Sequence, residues 1–261
     1  MTWCLVGSEM CIRDSASHNL FEDNGIKFFN KNGQKFSEEL EKRIEVKLTE
    51  EMVPVDSISL GKATRMSDAQ ERYIEFCKLP FTDLDLSGLN ILLDCANGAT
   101  YSVAPKVFTE LGASIEAVAA SPDGININQN CGSTNPDFLK DQMSKGNYDM
   151  GIAFDGDGDR ILIISSQGTI LDGDDILFIL SQKMPPNSGI VGTLMTNKAL
   201  ELHFQKNKID FLRADVGDKY VLNELVNNEW LLGGEPSGHI ICLDSAPTGD
   251  AIIAALKFLD S

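Results

Sequence analysis

The sequence predicts an α/β protein built from repeated α/β/α units with mixed sheets, and three features predict it. Residues 89–95, 102–111 and 114–119 read as apolar strand, helix and strand. Residues 190–194, 197–205 and 210–213 repeat that order. Strand–helix–strand runs of this length imply parallel pairing through a helical crossover. The third feature is an apolar strand, 150–154, that runs into an aspartate-rich turn and continues beyond it as a strand over 161–165, after which Gln167-Gly168 turns a hairpin.

The elements follow in order. Residues 1–14 show neither a helical nor a strand period and are assigned to no element. Residues 15–19 form a small polar loop, and Asp23-Asn24-Gly25 is a turn signal. Residues 26–29 are a short strand ended by Asn32-Gly33. Ser37 can cap a helix with Glu38 and Glu39 in its first turn. Leu40, Ile44 and Leu48 recur at helical spacing and give that helix one apolar stripe. Residues 53–64 are irregular. Ser67 and Gln70 form a capping-box pattern for a second helix, whose apolar face is Tyr73, Ile74 and Cys77; it ends before Pro80 and reads as a connector.

Beyond the first strand–helix–strand unit, Asn97-Gly98 is a turn and Gly112 a helix stop. Residues 138–144 are a short helix, and Gln167-Gly168 turns the hairpin that follows 161–165. Residues 174–182 are helical, and Pro185-Pro186 marks a connection. After the second unit, 221–226 are helical, 230–232 lead into the glycine-rich run 233–239, and 240–243 are a strand. A last helix starts near Gly249 and is still running at Leu259.

Composition narrows the function. The 261 residues are 43% hydrophobic and 23% charged, in the globular range. Asp and Glu outnumber Lys and Arg 39 to 22, a net charge of −17. That surface disfavours nucleic acid, whose binding needs cations to displace counterions, and anionic membranes. No apolar run reaches the roughly 20 residues of a membrane span. The six cysteines are scattered without zinc-ligand spacing, as in a reduced, cytoplasmic protein. Residues 1–14 lack a signal-peptide apolar core. An anionic substrate would therefore need locally supplied positive charge.

Three motifs carry chemistry. Asp155, Asp157 and Asp159 place three carboxylates within five residues, a charge density that a cation neutralises. Oxygen-only donors select a hard ion, Mg²⁺ or Ca²⁺. An EF-hand fails, because its sixth and twelfth positions hold Arg160 and Ser166. An acidic surface turn is the plainer alternative. Arg160 either grips a phosphate oxygen or offsets the aspartates. Ser17-His18-Asn19 offers a hydroxyl nucleophile with Lys27 downstream, although alone it reads as an ordinary turn. Residues 234–239 present Glu235, Ser237 and His239 on a glycine-flanked loop, groups suited to sugar hydroxyls and, for His239, to proton transfer.

Together these motifs, in this order, resemble the α-D-phosphohexomutase superfamily, with its phosphoserine loop, DGDGDR metal loop and GE-x-SGH sugar loop. The likeness runs from about Ser15 to the end and is finest for the bacterial amino-sugar branch, on segments 15–29, 68–78, 122–136, 151–160, 192–202, 216–222 and 233–239. The family usually has proline where Leu20 stands. The resemblance implies interconversion of glucosamine 6-phosphate and glucosamine 1-phosphate, which feeds UDP-N-acetylglucosamine synthesis. It implies a phosphoserine at Ser17 and one Mg²⁺ on that phosphate, Asp155, Asp157 and Asp159. Glucosamine 1,6-bisphosphate would be activator and intermediate. Arg160 and His18 would bind phosphate, Lys27 and His239 would move protons, and Glu235 and Ser237 would hold the sugar. A phosphomannomutase or phosphoglucomutase is the alternative within the family; a Mg²⁺-dependent phosphatase with an aspartyl nucleophile, or a non-catalytic Mg²⁺-binding fragment, lies outside it.

The implied organisation is a partial first domain over 15–66, a second with the metal loop over 67–170 and a third with the sugar loop over 171–261. Residues 1–14 are expected to be a non-native start, and the family's C-terminal phosphate-binding domain to be absent, leaving a weakly active or inactive fragment. The sequence does not set the oligomeric state.

Overall fold

The computed structural model describes residues 10–31, 33, 35–62, 64–185 and 188–261. Residues 1–9 of the unassigned start, Asn32 of the Asn32-Gly33 stop and Pro186 of the Pro185-Pro186 connection lie outside the described residues.

The start that lacked a period contains a strand. β1 (Met10–Ser15) pairs antiparallel with β2 (Gly25–Asn30), so the absence of an apolar alternation reflects a ribbon with little to bury, not missing structure. α1 (Glu38–Leu48) follows, capped by Ser37, whose hydroxyl accepts from the Leu40 amide. Its apolar stripe exists, but among the described residues Leu40 and Ile44 are only half-buried and Leu48 is exposed.

The next unit is a five-stranded mixed sheet. β3 (Asn90–Asp94), β4 (Ser114–Val118) and β5 (Met150–Phe154) are parallel, and β6 (Ile161–Ser165) and β7 (Ile170–Leu171) continue antiparallel, in the order β4-β3-β5-β6-β7. α2 (Ala69–Lys78) and α3 (Ala104–Glu110) cover one face, and α4 (Pro136–Met143) the other. Ile91 and Leu93 point into the first layer and Leu92 into the second, and all are fully buried. Burial on both faces explains the unbroken apolar runs that marked these strands.

Two expectations about α2 are corrected. Asp68 holds the N-cap position without a side-chain cap, so the Ser67/Gln70 box does not form. Nor is α2 a mere connector: Tyr73, Ile74 and Cys77 are core residues, and the Tyr73 hydroxyl donates to Asp250 at 2.7 Å.

A four-stranded sheet follows, in the order β11-β10-β8-β9. β8 (Gly189–Thr193), β9 (Asp210–Ala214) and β10 (Leu232–Gly234) are parallel, and β11 (Ile240–Cys242) returns antiparallel. α5 (Gly173–Ser181), α6 (Lys198–Lys206), α7 (Asp218–Asn228) and α8 (Ala251–Asp260) pack around it. The capping box forms on α5, from Asp172 and Asp175. One apolar core runs from Tyr73 to Leu256 through α5 and α8, joining the two sheets. No helix among the described residues is long and apolar enough to cross a membrane.

Candidate active site

The aspartate-rich loop leaves the carboxyl end of β5, the side on which parallel α/β sheets place their sites. Asp155 is fully buried, and its Oδ1 accepts from the amides of Asp159 and Arg160 at 3.0 and 3.1 Å. Gly158 has φ +73° and supplies the reversal that aims the three carboxylates inward. One oxygen of each of Asp155, Asp157 and Asp159 lies within 4.8 Å of the others. Asp155 Oδ2 is buried without a hydrogen-bond donor among the described residues. Burial, then the charges of Asp159 and Asp157, raises the Asp155 carboxyl well above its usual range. A converging all-oxygen set with a buried, unsatisfied member fits a divalent ion.

Positive groups surround the loop. Arg13, the Ser15 hydroxyl and Lys27 all donate to Asp157 Oδ2, at 2.5, 2.5 and 2.7 Å. Lys27 Nζ also lies 3.6 Å from Asp159 Oδ2. Burial would raise the Asp159 carboxyl, but His239, Lys27 and Arg160 overcome that and hold it low.

The serine turn sits between β1 and β2. Ser17 has φ +52°, a left-handed conformation unusual for a side chain with a Cβ. Its amide donates to Ser15 Oγ at 2.9 Å, and its Oγ is 3.3 Å from His18 Nδ1. Burial, then Arg160, lowers the His18 pKa.

The third loop, between β10 and β11, is stitched to the first. Arg160 and His239 form an antiparallel bridge, and the Ile161 amide donates to the Gly238 carbonyl at 3.0 Å. Gly238 has φ +88°, and a Cβ there would stand 2.0 Å from the Ile161 oxygen. The His239 ring is 4% exposed, with Nδ1 3.6 Å from Asp159 Oδ1 and Nε2 3.8 Å from Asp218 Oδ2. Burial would lower its pKa, but those two carboxylates raise it. Glu235 accepts from the Gly217 amide at 3.0 Å, while Ser237 is exposed.

A cleft of about 420 Å³ joins the three loops; Ser17, Lys27, Asp159, Arg160, Glu235, Ser237 and His239 all line it. Asp155 and Asp157 do not line it, but each has a carboxylate oxygen within 4.8 Å of one on Asp159, and His18 stands beside Ser17. Sequence reading missed several residues of the same site. Lys35 pairs with Asp218, and both line the cleft with Thr193 and Met195. Segment 216–222 had signalled likeness but no role for Asp218. Arg13 and Ser15 escaped because nothing in a short ribbon strand marks a partner 144 or 142 residues away.

Comparison with known proteins agrees with this geometry. Residues 9–53, 71–168 and 172–261 match, in order, the models for phosphoglucomutase/phosphomannomutase alpha/beta/alpha domains I, II and III. The phosphoglucosamine mutase of Pseudomonas entomophila (strain L48) is 52% identical over 250 residues, 94% of this chain and 56% of the relative. That of Legionella pneumophila (strain Corby) is 51% identical over 94% of this chain and 55% of its own length. The chain thus spans little more than half of these curated relatives. Among solved structures, a putative phosphomannomutase from Thermus thermophilus superposes with TM-score 0.82 at 21% identity, covering 97% of this chain and 59% of its own. An Aspergillus fumigatus N-acetylphosphoglucosamine mutase, solved with GlcNAc-6P and magnesium, gives 0.72 at 18%, covering 98% and 71%. With three successive domain models matched over most of its length and its two mixed α/β sheets meeting at one cleft, the chain belongs to the phosphoglucomutase/phosphomannomutase family.

Proposed function

We propose that this chain carries the phosphoryl-transfer centre of a phosphoglucosamine mutase, an isomerase that interconverts glucosamine 6-phosphate and glucosamine 1-phosphate. The observation that supports the reading is the shared cleft, which sets a serine hydroxyl, a carboxylate triad and a polar sugar-sized loop against one another. The identity to proteins named phosphoglucosamine mutase favours the amino sugar over glucose or mannose.

In this reading the phosphate of Ser17 passes to a sugar oxygen, giving glucosamine 1,6-bisphosphate. The sugar then turns, and its other phosphate returns to the serine. Phosphoryl transfer needs positioning and charge neutralisation more than covalent assistance. Asp155, Asp157 and Asp159 would hold Mg²⁺, which supplies charge neutralisation at the transferring group. Arg160 holds phosphate oxygens at the cleft wall, with His18 beside the serine. Glu235 and Ser237 hold sugar hydroxyls; the Glu235 carboxylate is already aimed by the Gly217 amide. Lys27 and His239 are the groups able to move a proton between serine and sugar oxygens. Each contacts a triad carboxylate, so proton transfer and metal binding are linked.

The test is phosphate on Ser17. After incubation with Mg²⁺ and glucosamine 1,6-bisphosphate, intact mass should rise by one phosphate that maps to Ser17, and Ser17→Ala should abolish it. Label on an aspartate instead would identify a phosphatase-type enzyme. In the full-length protein, turnover of glucosamine 6-phosphate should exceed that of the glucose and mannose phosphates.

A further inference from the structure

We propose that Asn128 is the positioning residue of the phosphoryl-carrying turn: its side-chain amide clamps the carbonyls of Ser17 and Asn19 and so fixes the serine against the metal loop. The inference rests on the reading of Ser17 as phosphoryl acceptor.

Asn128 lies in the loop between β4 and α4 and is 7% exposed. Its Nδ2 donates to the Ser17 carbonyl at 2.8 Å and to the Asn19 carbonyl at 2.7 Å. Both partners are acceptors only, so the amide orientation is fixed by chemistry. The two carbonyls flank His18, and one NH₂ group spans the turn. That turn needs holding. Ser17 adopts a left-handed conformation that L-residues disfavour, and its ribbon contributes few core side chains.

The clamp is itself anchored at the metal loop. The Asn128 amide donates to the Ala96 carbonyl at 2.8 Å. Buried Asp94 accepts from the amides of Ala96 and Gly132, at 2.9 and 2.6 Å. The Ser133 amide donates to the Phe154 carbonyl at 2.9 Å, one residue before Asp155. One loop therefore grips both the base of the triad and the serine turn. Gly156 completes the junction, since a Cβ there would stand 2.6 Å from both the Ser17 oxygen and Asn128 Nδ2. A neutral donor suits the position: a lysine would add charge beside the triad, and an aspartate would repel both carbonyls.

Asn128 itself has φ +57°, so a purely backbone role must be separated from the clamp. Asn128→Gly keeps the left-handed conformation and removes the donor; Asn128→Asp keeps the shape and reverses the polarity. The experiment follows Mg²⁺-dependent phosphate transfer from glucosamine 1,6-bisphosphate to Ser17 by intact mass, and amide hydrogen exchange at Asn19. Both variants should slow transfer roughly tenfold, as expected for two lost hydrogen bonds, with KM for the bisphosphate unchanged. Both should speed Asn19 exchange about tenfold. Asn128→Gly exchanging and reacting as the wild type does would overturn the clamp. If the wild type takes no phosphate at Ser17, the proposed function fails, and the exchange comparison alone still decides for or against the clamp.

Discussion

α1 and α7 are both 11 residues long and both carry apolar residues at helical spacing, yet among the described residues α7 buries Val221 and Leu225 while α1 leaves Leu40 and Ile44 half-buried and Leu48 exposed. The contrast extends to the surrounding regions. From Ala69 to Asp260 the strands are sealed between helical layers by a core of fully buried side chains. The described residues of 10–62 form a two-stranded ribbon, a solvated helix and an irregular stretch in which Met52, Val53 and Ile58 are 87%, 84% and 95% exposed. A two-stranded ribbon is marginal on its own. The ribbon nevertheless carries Ser17 and Lys27, and Lys35 follows it on a bridge to Phe29; all three line the cleft. It is held by polar contacts to the body: Arg13, Ser15 and Lys27 on Asp157, and Asn128 on the serine turn. The body is rigid through burial, and the serine arm borrows its position through hydrogen bonds and charge.

Four measurements bear on this contrast. The largest effect is expected from Leu139→Ala. Leu139 is fully buried between α4 and the sheet, and its truncation should cost about 2–5 kcal/mol in chemical denaturation. A loss below that range would mean the body is less tightly built than described.

The second is a pH effect. Burial pushes the Asp94 carboxyl from 3.8 up to about 6 in the folded chain. Between those values the native state binds more protons than the unfolded chain, so Asp94 makes stability fall as pH rises through the window. Relative to Asp94→Asn, the wild type should lose up to about 3 kcal/mol from below pH 4 to above pH 6. A pH-independent difference between the two would contradict this.

The third substitution targets the join. Gly156→Ala puts a Cβ against Ser17, Asn128 and Ile127 at 2.6–2.7 Å. It should cost about 1–3 kcal/mol and should also raise hydrogen exchange in the ribbon. A stability loss with unchanged ribbon exchange would show that the arm does not depend on this contact.

The smallest effect belongs to Leu48→Ala. Leu48 is 80% exposed in α1, so its truncation should stay within about 0.5 kcal/mol in this chain. A larger loss would reveal a partner surface for α1.

Much of the body was legible in the sequence because parallel strands buried on both faces read as continuous apolar runs, which no surface segment imitates. β3, β5 and β8 follow that rule, and the aspartate loop was visible because its three carboxylates are local in sequence. Elements that rest on distant partners were harder to see. β1 lacked a period because its residues face mostly a single partner strand. The Ser67/Gln70 pattern had the right letters, but Asp68 takes the N-cap position and no box forms. Asp172 and Asp175 make the box that does form.

Spacing alone thus determined the chemistry on offer: three carboxylates converge wherever Asp-Gly-Asp-Gly-Asp turns tightly, because glycine removes the steric bar to doing so. Tertiary structure alone decided which groups meet. Arg13 and Ser15 on Asp157, Asn128 on the serine turn, and Lys35 and His239 on Asp218 join residues that are distant or unmarked in sequence. The reason is physical: local steric and capping preferences act over a few residues and leave a trace in their order, whereas charge pairing and hydrogen bonding act through space and leave none.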